Sequence, residues 1–244
     1  MRVPVVRATI ERRVLVNYRV DVDVLASLLP PPFRPAPVGG VGIAGICLIR
    51  LGGIRFSGLP AAVGLTAENA AHRVAVEWDG PHGPVQGVYI PRRDTSSRLV
   101  ALLGGRVFPG WHHLAHFDVD EGGDSYRIDL QSRDGEVSVR VSGRRADRPM
   151  AGSVFATVED ASSFFRTAPQ GYAVTPDAGV FDGVELETCG WEIEPMTLDE
   201  VHSSFFEDAS RFPTGTAELD SAFIMERIDT AWRARPRLIA EARG

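Results

Sequence analysis

The sequence predicts an α+β protein: a mostly antiparallel, strongly bent β-sheet or barrel with short peripheral helices, in a single domain over residues 1–244. Runs rich in Val, Ile, Thr and aromatic residues recur along the chain, separated by turns rich in Gly, Pro and Asp. Helical signals occur only in short segments, and no low-complexity linker or composition break divides the chain. At 244 residues it can bury a substantial core.

Residues 8–20 read as the first strand. Asp21 or Asp23 caps a short helix carrying Val24, Leu25, Leu28 and Leu29, which Pro30-Pro31-Pro32 terminates. Residues 41–51 are apolar almost throughout, so this second strand is expected to be buried on both faces, and 52–64 to be loop. Strands over 65–78 and 85–90 flank the turn Asp79–Pro84. Asp94, Thr95 and Ser96 are cap types for a helix closed by Gly104 and Gly105. Strands near 114–119, 125–132 and 136–144 follow, with turns at Glu121–Gly123 and Asp134-Gly135. Thr157–Asp160 and Thr197–Glu200 both carry the Thr-x-x-acid pattern of a capping box, and each precedes a Ser-Ser-Phe-Phe segment. Two short helices that plug the sheet with phenylalanine are expected, rather than a duplicated gate. Strands near 183–194 and 219–235 complete the chain.

Composition narrows the function. The net charge of −6, with no basic cluster, argues against a nucleic-acid partner. No apolar run is long enough to span a bilayer and no signal-peptide core begins the chain, so a cytoplasmic protein without a membrane partner is expected. Cys47 and Cys189 lie in apolar strand-like surroundings and read as buried thiols. All 26 basic residues are arginine, which removes side-chain amine chemistry.

The segment from Val88 to His116 concentrates chemistry: Arg92, Arg93, Arg106, and then Trp111 with His112, His113 and His116, half of the six histidines. Arginines flanking a helix N-terminus suit a carboxylate or phosphate. The histidines admit metal ligation, hydrogen-bonded burial or proton transfer. The spacing lacks the glutamate of H-E-x-x-H and no other ligand lies close by, so neither a metal nor a cofactor is expected, and proton transfer near neutrality is the preferred reading. Alternation over Glu68–Arg73 places Glu68 and His72 on one strand face and Arg73 on the other, either as a functional pair or as core and surface. Gly40-Val41-Gly42-Ile43-Ala44-Gly45 matches the dinucleotide fingerprint G-x-G-x-x-G, but a proline-rich loop precedes it and a strand follows it. Glycines for close strand packing explain it better.

Several features share the order of a known family. Asn17–Asp21 runs into a short helix and Pro30-Pro31-Pro32-Phe33; Glu68 follows a Gly-containing loop; Gly87-Val88-Tyr89 comes next; and Gly105-Arg106 precedes Trp111–Ala115. In this the chain resembles the acetoacetate decarboxylase-like superfamily, most closely an uncharacterised bacterial branch of it. The resemblance implies a bent β-barrel with an enclosed pocket, a family glutamate at Glu68, and a substrate-carboxylate arginine at Arg12 or Arg13. It places His112 and His113 where the decarboxylase carries its lysine pair. A histidine cannot form the Schiff base, so the family's defining chemistry is excluded here.

The resulting expectation is a small-molecule enzyme acting on a small anionic or carbonyl metabolite by acid/base chemistry of the lyase, hydratase or cyclase type. Glu68, His112 and His113 would be catalytic, with Arg12, Arg13, His72, Arg73, Arg92, Arg93, Arg106 and His116 around the substrate. Glu68 is expected to face His112 or His113 across one cavity as a coupled pair. The alternative is a non-catalytic metabolite-binding or scaffold protein using the same pocket. A homo-oligomer is the expected assembly.

Overall fold

The computed structural model describes residues 5–105 and 108–240. Its strands are β1 (Val6–Val20), β2 (Arg34–Pro35), β3 (Gly42–Phe56), β4 (Leu65–Gly80), β5 (Gly83–Thr95), β6 (His113–Gly122), β7 (Ser125–Ser132), β8 (Ser138–Arg145), β9 (Gln170–Val174), β10 (Val180–Cys189), β11 (Glu194–Ser203) and β12 (Ala217–Ile239). Three short helices accompany them, α1 (Val22–Leu28), α2 (Arg98–Leu103) and α3 (Val158–Thr167).

Local chemistry accounts for most boundaries. Asp21 caps α1 by accepting from the amides of Asp23 and Val24. The apolar run at Gly42–Ile49 is buried throughout, as its composition predicts. The hairpin between β4 and β5 turns in two residues, since Gly80 pairs with Gly83. At the β7–β8 turn, Gly135 takes φ +76°, a conformation suited to glycine. The capping box at Thr157 and Asp160 starts α3.

Three expectations are corrected. β3 continues through Phe56, taking in the first residues of the predicted loop. β5 continues through Thr95, so Arg92, Arg93 and Asp94 lie on a strand, and Ser97 instead caps the six-residue α2. The Thr197–Glu200 pattern belongs to β11 and starts no helix, because pairing with β8 satisfies its backbone instead.

The sheet is bent and mixed rather than a clean barrel. Most pairs are antiparallel; β5 pairs in parallel with β6 and β9. Hydrogen bonding nevertheless closes one circuit of seven strands in the order β12-β1-β3-β4-β5-β9-β10, with β10 returning to β12. A second row, β6-β7-β8-β11, runs from β5 back to β12. Strands β12, β1, β3, β4 and β5 are common to both arrangements and form a shared wall. One face of this wall, with Val14, Val16, Ile46, Leu48, Ala70 and Val74, packs on Tyr126, Ile128, Leu130, Val139 and Val141 of the second row. The other face presents Leu15, Cys47 and Ile49, which cluster with Phe155, Phe223 and the aromatic residues of α3.

Candidate functional site

That second face borders a cavity of about 260 Å³, small beside the roughly 300–1,000 Å³ of pockets for drug-sized ligands. Its walls are largely apolar, with Ile49, Ala71, Phe165, Trp191 and Trp232 among them. Arg13 from β1, Arg73 from β4 and Arg93 from β5 bring three guanidinium groups to it from the sheet, and the exposed Arg166 of α3 lines it as well.

Register explains how they meet. Cys47, Ala71 and Arg93 lie side by side across β3, β4 and β5. The small Ala71 between them leaves open space above the sheet. Asn17, Gly45 and Arg73 form another row, and Arg73 donates to the Asn17 side-chain oxygen across Gly45. A side chain at Gly45 would strike the Val16 carbonyl oxygen at 2.3 Å, which accounts for the last glycine of the fingerprint-like run by strand packing.

The one carboxylate in the lining, Asp94, is already paired with Arg92. Arg13 donates Nε–H to Cys47 Sγ at 3.1 Å and stands 6.0 Å from the Trp191 ring centre. Arg73 lies 4.9 Å from the Phe165 ring centre. The Nε atoms of Arg73 and Arg93 are buried without a hydrogen-bond partner. Among the described residues, no carboxylate is hydrogen-bonded to any of the three guanidinium groups. Burial lowers the pKa of Arg73 and of Arg93 to about 10, which leaves both charged at neutral pH.

His112 adds an imidazole to the lining. Its Nδ1 lies 3.0 Å from the Gly110 carbonyl oxygen, an acceptor, so Nδ1 carries the hydrogen and Nε2 a lone pair. Burial, followed by the charge of Arg93, lowers its pKa to about 3. The ring is neutral at physiological pH.

The other expected site residues lie elsewhere. Glu68 is on the opposite face of β4, ion-paired with Arg12 and, at 3.3 Å, with Arg50. Arg12 is 1% exposed and also pairs with Glu121. The structure therefore brings Glu68 to neither His112 nor His113 across a common cavity. His72 is fully buried, its ring centre 4.5 Å from that of Phe205, with both nitrogens lacking a protein partner. Arg92 is committed to Asp94, Asp134 and Glu136 at 2.8–3.0 Å. His113 contacts Asp134 at 2.9 Å, and His116 is exposed on β6. Arg106 lies outside the described residues. The anion site proposed at a helix N-terminus is corrected accordingly: of Arg92 and Arg93, only Arg93 reaches the cavity, and it does so from a strand.

Sequence reasoning passed over Cys47, Trp191 and the role of Phe164 and Phe165, which α3 brings into the cavity wall. The second phenylalanine pair is core, with Phe206 stacked on Tyr18 at 4.1 Å. Cys189 is exposed, contrary to expectation, because β10 carries it beyond the apolar part of the strand. Among the described residues no three His, Cys, Asp or Glu side chains converge on a position that could hold a metal. No described helix is long and apolar enough to cross a membrane.

The bent sheet is that of the acetoacetate decarboxylase-like fold, the class to which comparison with solved structures leads. Acetoacetate decarboxylase from Legionella pneumophila superposes with a TM-score of 0.62 at 15% identity, covering 98% of this chain and 87% of that one. An acetoacetate decarboxylase-like enzyme from Sphingomonas wittichii RW1 gives 0.62 at 13%, covering 100% and 95%. The enduracididine biosynthesis enzyme MppR, complexed with pyruvate, gives 0.56 at 15%, covering 98% and 91%. The chain itself belongs to the DUF2071 family, described as an uncharacterized conserved protein, whose model matches residues 7–216. No curated protein matches the chain.

Proposed function

We propose that the cavity binds a small carboxylate-bearing carbonyl compound and that the protein is an enzyme acting on it through an enolate, without an imine. The observation that carries this reading is the trio Arg13, Arg73 and Arg93, which face one cavity with no carboxylate bonded to them. Buried positive charge with no carboxylate bonded to it favours an anionic ligand, and its apolar surroundings strengthen the attraction. The same charge stabilises an enolate oxygen as it develops, the largest contribution such a site can make to rate. Neutral His112 supplies the lone pair that takes a proton from carbon. A chain without lysine has no side-chain amine for a Schiff base. Pyruvate bound to a protein of the same fold supports the choice of ligand class.

A non-catalytic metabolite-binding protein is the second reading, favoured by one observation: burial holds His112 far below the range in which a general base is most effective. Deuterium exchange separates the two. The enzyme reading expects the methyl protons of pyruvate to exchange with D₂O in the presence of the protein, and His112→Ala to abolish the exchange while pyruvate still binds. Calorimetric binding of pyruvate without exchange would leave the binding protein standing. Absence of binding by pyruvate and by small dicarboxylates alike would overturn both.

A further inference from the structure

We propose that Cys47 is a nucleophile of this cavity, attacking the electrophilic carbon of a small acid held by the arginines. The inference rests on the reading of the cavity as an anion site. Cys47 is 6% exposed and belongs to the cavity wall. Its sulfur accepts the Nε–H of Arg13, Arg93 lies in the same cross-strand row beyond Ala71, and Arg73 lines the same cavity. Reactive thiols occupy such electropositive surroundings, whereas inert structural ones sit among apolar groups. A second observation points independently to a ligand beside the sulfur. Arg73 is 9% exposed, lines the same cavity, and keeps its Nε–H without a partner.

An oxo acid is the class of substrate that fits. The guanidinium groups hold its carboxylate and present the adjacent carbonyl carbon to sulfur. An S–C bond forms as the carbonyl π bond breaks, and the proton lost from sulfur is taken up by the former carbonyl oxygen. The product is a hemithioacetal or hemithioketal, formed reversibly and without any redox partner. The thiol thus occupies the covalent role closed to a chain that has no lysine.

The test uses the wild-type protein with Cys189, which is exposed, as an internal reference. Native protein is treated in parallel with iodoacetate and iodoacetamide, and both cysteines are followed by peptide mass. Each reagent forms an S–C bond, releases iodide and sends the thiol proton to buffer; they differ in charge. The iodoacetate-to-iodoacetamide rate ratio at Cys47 is expected to exceed that at Cys189 by at least about tenfold, the scale of electrostatic steering. Arg93→Gln should collapse this preference. Glyoxylate should protect Cys47 more strongly than acetate, which carries the same charge but no reactive carbonyl. Equal ratios at the two cysteines, or a Cys47 inert to both reagents while Cys189 is consumed, would overturn the nucleophile. Equal protection by glyoxylate and acetate would overturn the carbonyl addition. Calorimetry on Cys47→Ser keeps the two proposals apart: retained pyruvate binding with an inert Cys47 in the wild type removes only this inference.

Discussion

Protonation of His72 should account for a defined share of the protein's acid sensitivity. The ring is fully buried against Phe205, and burial, reinforced by the charges of Arg92 and Arg211, lowers its pKa from 6.5 to about 3. An unfolded imidazole takes up a proton below pH 6.5; the folded one does so only near pH 3. The stability tied to this difference is whole above pH 6.5 and drains as pH falls between the two values. At pH 5.0 the loss is about 2 kcal/mol for His72, and His112, with a similarly lowered pKa, adds a comparable amount. A total of about 4 kcal/mol is a large part of the roughly 5–15 kcal/mol that holds a typical domain folded. Urea unfolding at pH 7.5 and pH 5.0 measures it in wild type and in His72→Leu. The carboxylates contribute equally to both proteins, so the variant should lose about 2 kcal/mol less than the wild type on acidification. Equal losses, or a carbon-bound proton of the His72 imidazole, identified by its absence in His72→Leu, whose resonance shifts between pH 7 and pH 5, would refute the argument.

Other substitutions probe the shared wall. Glu68→Ala should reduce stability by about 3 kcal/mol in denaturant unfolding, because it strips a partner from buried Arg12, yet leave pyruvate affinity within about twofold. A large loss of affinity would place Glu68 at the site after all. Asp94→Asn, at a fully buried carboxylate paired with Arg92 at 2.8 Å, should cost about 3–5 kcal/mol in the same assay. Phe165→Ala enlarges the cavity and removes the ring beside Arg73, so calorimetry should show longer oxo acids gaining affinity relative to pyruvate.

The fold was legible because its signals are local. Alternation, turn glycines and the Thr157 capping box each act over a few residues, and the structure follows them at β1, β7 and α3. Thr197 carries a similar signal and is overridden by strand pairing, a non-local effect. The cavity lining was legible only to within one residue. At Arg12-Arg13, His72-Arg73, Arg92-Arg93 and His112-His113 the composition identifies a pair, and one member of each lines the cavity. Choosing the member requires knowing which strand face meets which half of the molecule, and that depends on pairings between distant segments. Glu68 illustrates the cost: its type and surroundings suit catalysis, but its face belongs to the ion-pair network. Cys47 carried no local signal, and its importance comes from arginines 34, 26 and 46 positions away in the sequence.

The shared wall also bears on how chemistry can change in such a protein. Adjacent residues of β4 serve different compartments, so a one-residue slip of β4 against β3 and β5 would exchange them, because the side-chain period of a strand is two. Glu68 and His72 would then enter the cavity beside Arg13 and Arg93, and Arg73 would leave it. The composition would be almost unchanged. A second set of ionisable side chains is therefore stored behind the first, one register step away.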